Sequence, residues 1–407
     1  MFSFLRERII WARTADFVAR YRPRLVGITG STGKTITRDA IALALGTDVA
    51  VRVSGKSYDT PLDTALAILG IDRNSSHATW FKLLTKSLIK EIKVEEPETI
   101  VVELGAHRPG DIDTISRRLA FKVMVVTNVG TTHTELFYNK DMVAHELTSA
   151  VVTLEKGSVV ILNADDPLVV AMAVKAHARV VTYGTADGAD VRIIRIDRVA
   201  AGLGVTLRIG GTAYELHLPH VIGRHQVGHI AAALVCAQVL GVDVAAAAKR
   251  LQGFVPPAGR LRRLAGRNGV IILDDSYSAS PEVTTAALNT LKGLSAGRKI
   301  AVLGDMAGLG GLSRAAHADI GRTAAGVADM VIAVGEEMRE AGKEALRLGK
   351  DVHHFMTSDE VGKWLVDFLQ PNDVVLVSGS RSMHMEHVVA RLLGDPKKDS
   401  SKLVSAA

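Results

Sequence analysis

The chain has 407 residues, 47% apolar and 23% charged, with a formal net charge of +6. That length allows two or three domains, each able to bury its own core, and the composition is that of a globular chain rather than a disordered or fibrous one. No apolar run approaches the ~18 residues needed to cross a bilayer, no secretory signal is visible, and no basic cluster interleaved with aromatics argues for nucleic acid. The modest positive charge suits anionic small molecules such as nucleotides. A single cysteine, Cys236, rules out an intrachain disulfide framework and fits a cytoplasmic location.

Residues 1–22 read as an amphipathic helix: Phe4, Ile10, Trp11, Phe17, Val18 and Tyr21 share one side, and Arg6, Arg13 and Arg20 line a flank. Such a helix either docks on its own domain, the favoured reading, or lies as a peripheral contact on an anionic membrane surface. Strand-like runs then alternate with helical ones: Leu25–Thr29, Thr99–Leu104, Val123–Thr127, Val159–Leu162 and Val180–Tyr183. This βαβα pattern implies a parallel sheet with helices on both faces. Arg192–Ile196, Val205–Ile209 and Tyr214–Leu218 alternate around Gly210-Gly211 and predict an antiparallel insertion. A helix follows from about Gln226 to Leu240, and Phe254–Gly259, with two prolines, reads as a hinge. Beyond it Val270–Leu273, Lys299–Leu303, Met330–Val334 and Val374–Val377 restart the alternation, giving a second, Rossmann-like α/β domain. The expected division is therefore a helix (1–22), an ATPase-like domain (23–255), a second α/β domain (256–394) and a disordered tail (395–407).

The most informative segment is Gly27–Thr35, Gly-Ile-Thr-Gly-Ser-Thr-Gly-Lys-Thr. A strand running into a glycine-rich turn and then into a helix (Lys34 to Leu45) is a device for holding polyphosphate. Glycines let backbone N–H groups turn toward phosphate oxygens; Lys34 can reach the terminal phosphates, and the Thr35 hydroxyl can hold a magnesium ion. The first glycine stands one place earlier than in the usual motif, at Gly27. In open parallel sheets ligands gather at the carboxyl ends of strands. Glu103 follows the second strand, and Thr127-Asn128 with His133 and Glu135 follow the third. A carboxylate and an imidazole beside a loop threonine can complete a magnesium shell around a nucleotide. In the second domain Asp274-Asp275-Ser276-Tyr277, Gly304-Asp305-Met306 and Ser378–Arg381 occupy strand ends. Asp275 can bind ribose hydroxyls or an amine, though capping of helix N-termini is the competing reading for these Asp and Ser residues. Arg260, beside the hinge, is poised to reach a phosphate.

Thr29–Thr35, Glu103-Leu-Gly105 with Pro109–Ile112, Thr127–Gly130 with His133 and Glu135, and Leu162–Pro167 resemble the ATPase domain of the Mur ligase family. Gly259-Arg260, Asp274–Tyr277, Val302–Met306 and Gly379–Glu386 resemble its C-terminal domain. The likeness covers about residues 22–394 and is nearest to the MurF-type branch, which adds D-Ala-D-Ala to a UDP-MurNAc-peptide in peptidoglycan synthesis. It implies a cytoplasmic, monomeric ligase that uses ATP and Mg²⁺ to form an amide through an acyl phosphate. Lys34, Glu103, His133 and Arg260 would be catalytic. Thr29, Gly30, Ser31, Thr32, Gly33, Lys34, Thr35, Asn128, Gln226, His229, Arg260 and Asp275 would hold the nucleotide, with Thr35, Glu103 and His133 on the metal. Several family positions differ. The UDP-binding domain that precedes the phosphate loop in the family is not expected here. The family's carbamylated lysine aligns with Leu147, and the lysine before Gly379-Ser-Arg381 is Ser378. A ligase of the same chemistry with another substrate, and a non-catalytic ATP-binding relative, are the alternatives.

Overall fold

A computed structural model describes residues 2–54, 60–71, 97–132, 134–295, 297–395 and 403–404. Two sheets organise it. The first contains β1 (Arg24–Thr29), β2 (Val51–Val53), β3 (Thr99–Glu103), β4 (Phe121–Val126), β5 (Val159–Asn163), β6 (Arg179–Gly184), β7 (Val191–Arg198), β8 (Leu203–Ile209) and β9 (Thr212–Leu218), in the order β2-β3-β1-β4-β5-β6-β7-β8-β9. The second contains β10 (Arg262–Ala265), β11 (Ile271–Asp275), β12 (Lys299–Gly304), β13 (Met330–Val334), β14 (Asp351–Phe355) and β15 (Val374–Ser378), in the order β10-β11-β15-β12-β13-β14. Between them, residues 252–261 carry neither helix nor strand, where the sequence reads a hinge.

The parallel core arises from strands that are apolar on both faces. In β1, Val26 and Ile28 enter one core with Val101, Val123 and Ile161, while Leu25 enters the opposite one with Ile100, Val102 and Met124. Period-two alternation thus feeds two aliphatic layers, which is why helices must cover both faces. The helix Lys34–Leu45 covers one face and packs on the helix Gln226–Val239. The second sheet repeats the plan with its own two cores.

The antiparallel meander stands where it is expected, as β7, β8 and β9. It continues the first sheet: β7 pairs in parallel with β6 and carries that sheet onward through β8 and β9. Three strands were not read from sequence, and all are edges. β2, β10 and β14 each pair on one side only, so they need no continuous apolar run. β10 reads Arg-Arg-Leu-Ala and β14 contains two histidines.

The N-terminal helix, Phe2–Tyr21, docks on the helix Pro61–Leu69. Ile10, Trp11 and Phe17 are buried there, and the Thr14 hydroxyl donates to the Ala65 carbonyl at 3.3 Å. Ile10, Trp11 and Phe17 thus pack into the chain's own core, as the docking reading of residues 1–22 expects. Among the described residues no helix is long and apolar enough to cross a membrane. Leu403 packs on the second sheet's core, and a Val404 methyl lies 2.7 Å from where a Cβ on Gly259 would stand.

Candidate functional site

The phosphate loop spans Gly30 to Gly33, between β1 and the helix that begins at Lys34. Its shape depends on two glycines. Gly30 has φ +130° and Gly33 φ +80°, backbone that side chains disfavour. A Cβ on Gly30 would lie 2.0 Å from the Thr127 hydroxyl oxygen, and one on Gly33 1.9 Å from Cε1 of His229.

The end of β4 braces the loop. Thr127 Oγ1 donates to the Thr32 carbonyl at 2.6 Å. Ser31 N–H donates to the Asn128 carbonyl at 3.0 Å, Thr32 N–H to Asn128 Oδ1 at 2.9 Å, and Gly130 N–H to Ser31 Oγ at 2.8 Å. Asn128 is thus a direct brace of the phosphate loop. Thr29 is wholly buried and its hydroxyl donates to the Leu104 carbonyl at 3.2 Å.

Glu103 ends β3, opposite Ile28 of β1 in the sheet register, and is 1% exposed. Thr35 Oγ1 donates to its Oε2 at 3.2 Å, and Arg38 Nη1 to its Oε1 at 2.8 Å. Burial pushes the Glu103 pKa up, while Arg38, Lys34 and Arg260 act against that rise. Arg38 is the residue that sequence reasoning missed. It lies one helical turn beyond Lys34, a spacing that puts both cations on the face turned to β3. Lys34 Nζ donates to the Gly30 carbonyl at 2.7 Å, holding its ammonium over the loop. The Thr35 hydroxyl and the Glu103 carboxylate are hard oxygen donors beside the loop, a set that fits a magnesium ion keeping most of its water and phosphate ligands. His133, expected on the metal with Thr35 and Glu103, lies outside the described residues. No cluster of three or more His, Cys, Asp or Glu occurs among the described residues.

Next to Lys34 a small enclosed space is lined by His107 and Thr132 on one side and by Phe137, Val143 and Leu147 on the other. Leu147 is 1% exposed and belongs to the core. It turns inward beside Glu146, whose carboxylate accepts the Gly110 and Ile112 N–H groups at 2.8 Å each, capping the helix Asp111–Arg118.

A larger cleft of about 450 Å³ runs from the loop toward the second sheet, lined by Thr32, Asn128, Asn163, Asp165, His229 and, from the far side, Glu282, Val283 and Ala286 among others. His229 sits at its floor beneath Gly33, with Nδ1 3.1 Å from the Thr37 hydroxyl. The ring opens partly on the cleft, yet the enclosing protein, with help from His225 and Arg260, depresses its pKa strongly, so it stays neutral. Gln226 does not line the cleft. It is fully buried, accepting the Gly223 N–H at 3.1 Å and donating to the Arg260 carbonyl at 2.9 Å, so in this structure it acts as a strut.

The connection that leads into the second sheet supplies Arg260. Asp274 and Asp275 at the end of β11 accept the Gly259 and Leu261 N–H groups at 3.0 Å each, pinning the turn on either side of it. Its guanidinium carbon stands 4.4 Å from the Tyr277 ring centroid, and its charge reaches both Glu103 and Asp275. Burial pushes Asp275 up to about 7 against the pull of Arg260. Asp275 is a positioner of the Arg260 turn in this structure. Asp305 and Ser380 are absorbed by local backbone: Asp305 accepts Met338 N–H at 2.7 Å and Ser380 Oγ accepts Ala307 N–H at 2.8 Å.

Comparison with known proteins follows this geometry. Residues 28–237 match the Mur ligase middle domain, and residues 259–381 match the Mur ligase, glutamate ligase domain. The chain is 27% identical over 377 residues to the UDP-N-acetylmuramoyl-tripeptide–D-alanyl-D-alanine ligase of Bacillus subtilis, covering 92% of this chain and 76% of that one. It is 30% identical over 396 residues to the enzyme of the same name from Mycobacterium tuberculosis, covering 91% and 73%. Its fold is similar to that of MurF ligase from Thermotoga maritima solved in complex with ADP, with a TM-score of 0.80, 22% identity, and 96% and 84% coverage. With both profiles matched in order and the phosphate loop and Glu103 standing where the resemblance requires them, the chain belongs to the Mur ligase family.

Proposed function

We propose that the protein is a cytoplasmic, ATP-dependent carboxylate–amine ligase that adds D-Ala-D-Ala to a UDP-MurNAc-tripeptide, the pair of substrates that the names of its relatives carry. The observation that carries the reading is electrostatic: one buried carboxylate, Glu103, is faced by Lys34 and Arg38 beside the phosphate loop and by Arg260 from the connection into the second sheet. Cations from both halves of the molecule thus converge on one carboxylate beside the phosphate loop, the kind of charge that a polyphosphate undergoing transfer demands.

In the first step a substrate carboxylate oxygen bonds to the γ-phosphorus and the bond to the bridging oxygen breaks, releasing ADP. The loop N–H groups and Lys34 stabilise charge on the transferred group. Thr35 and Glu103 would hold magnesium, which when bound neutralises charge on the β- and γ-phosphates. In the second step the amine attacks the acyl carbon. The C–O bond to phosphate breaks, phosphate leaves with the electron pair, and the nitrogen loses a proton. Arg260, pinned by Asp274 and Asp275, closes the site from the far half and limits water, which would otherwise hydrolyse the acyl phosphate.

The experiment is ADP release with ATP and Mg²⁺, with each substrate alone and with both. Full release that needs both substrates, with a new amide detected by mass spectrometry, supports the reading. Amide formed from a different acid or amine keeps the chemistry and changes the substrates. A second reading, an ATP-binding relative without turnover, draws on the apolar wall of Phe137, Val143 and Leu147 beside Lys34; it predicts ATP binding that Lys34→Ala abolishes and no ADP release with any mixture.

A further inference from the structure

Glu282 lies in the first turn of the helix Pro281–Lys292, which belongs to the second sheet. That helix is already capped by Ser280, whose hydroxyl accepts Val283 N–H at 3.4 Å. The carboxylate instead reaches the other half of the molecule. Its Oε1 accepts the Thr131 N–H at 3.1 Å and pairs with Lys140 Nζ at 2.9 Å. Its Oε2 accepts the Thr131 hydroxyl at 3.1 Å and the Ser280 hydroxyl at 3.2 Å. A carboxylate offers about four acceptor positions. All are used, one by Lys140 of the helix Lys140–Val152 and two by Thr131, in the segment that follows β4. That segment is the brace of the phosphate loop: Gly130 bonds Ser31, and Asn128 bonds Ser31 and Thr32. Glu282 also lines the cleft that Thr32 and His229 share. Burial alone would raise its pKa, but the bonds from Lys140 and Thr131 hold it below the usual glutamate value.

We propose that Glu282 is a positioning residue that clasps the second sheet to the Asn128–Thr131 segment and thereby sets the phosphate loop for nucleotide. The ligase reading is needed here only for the statement that the loop takes a nucleotide. Seating a nucleotide and seating the second sheet become one event, because both act on the same four residues.

The test labels Lys156→Cys and Leu346→Cys, one exposed position on each half, and measures their distance distribution by pulsed electron resonance. Cys236 is buried and stays unlabelled. Without nucleotide, Glu282→Ala is expected to broaden the distribution, while circular dichroism shows an unchanged fold. With Mg²⁺ and ADP, its affinity is expected to be about three- to tenfold weaker than the parent's. Lys140→Met should weaken ADP less, and add nothing in the Glu282→Ala background. Should Glu282→Ala not fold, Thr131→Val with Lys140→Met carries the same measurements. An unchanged distribution with unchanged ADP affinity, or effects of Lys140 and Glu282 that simply add, overturns the clasp. A parent chain that binds no ADP counts against the ligase reading, while the nucleotide-free distances still judge the clasp.

Discussion

Replacing Glu103 by glutamine keeps its shape and removes its charge. Arg38, with its side chain 8% exposed, then loses its ion pair at 2.8 Å and retains Asp39 at 2.7 Å. Breaking a buried pair outright costs about 3–5 kcal/mol. Because Asp39 remains and the amide oxygen still accepts a hydrogen bond, a loss of about 1.5–3 kcal/mol is expected. The effect on ligand runs the other way. Lys34, Arg38 and Arg260 lose the one negative group that all three face. Metal-free ATP should therefore bind as well as, or about three- to tenfold tighter than, to the parent chain. Magnesium should no longer tighten it, and ADP release should fall by at least about a hundredfold. Urea denaturation and calorimetry with and without magnesium read the two effects separately. Unchanged turnover, or a magnesium dependence equal to the parent's, would refute the placing of Glu103 at the metal and phosphates.

Gly33→Ala puts a methyl group 1.9 Å from the His229 ring at φ +80°, so the loop must shift; calorimetry should show ATP affinity at least about tenfold weaker, with a stability loss of about 1–2 kcal/mol. Burial raises Asp275 to about 7 in the folded state, so the folded chain holds a proton that the unfolded chain has released between about pH 4 and pH 7. Its contribution to stability is complete at low pH and is lost as pH rises toward 7; Asp275→Asn should remove that part, seen as a smaller drop in urea midpoint between pH 5 and pH 8. Leucine at 147 cannot be carbamylated, so added bicarbonate should leave ADP release unchanged, and a bicarbonate-dependent rate would show that another group takes the lysine's place.

The parallel sheet, the phosphate loop and the strand-end carboxylate were legible because each follows from local pattern: apolar alternation, glycine spacing, and a charged residue where a strand stops. The edge strands β2, β10 and β14 were not, since pairing on one side lets Arg262, Arg263, His353 and His354 stand in a strand. Gln226 and Thr29 lie within ligand-like motifs, yet both are buried and spend their polar atoms on backbone. A motif gives position along the chain, not which way a side chain turns. Arg38 and Glu282 escaped for the converse reason. Each looks like an ordinary helix charge, and only long-range contacts, across 65 residues from Arg38 to Glu103 and 151 from Thr131 to Glu282, give it a role.

The acyl phosphate is tested most directly by isotope transfer. The tripeptide substrate is prepared with ¹⁸O in its acceptor carboxylate and incubated with D-Ala-D-Ala, ATP and Mg²⁺, and the released phosphate is analysed by mass spectrometry. The proposed mechanism predicts one ¹⁸O in phosphate for each amide formed. Amide with unlabelled phosphate, or no amide in a protein that still binds ATP, would contradict it.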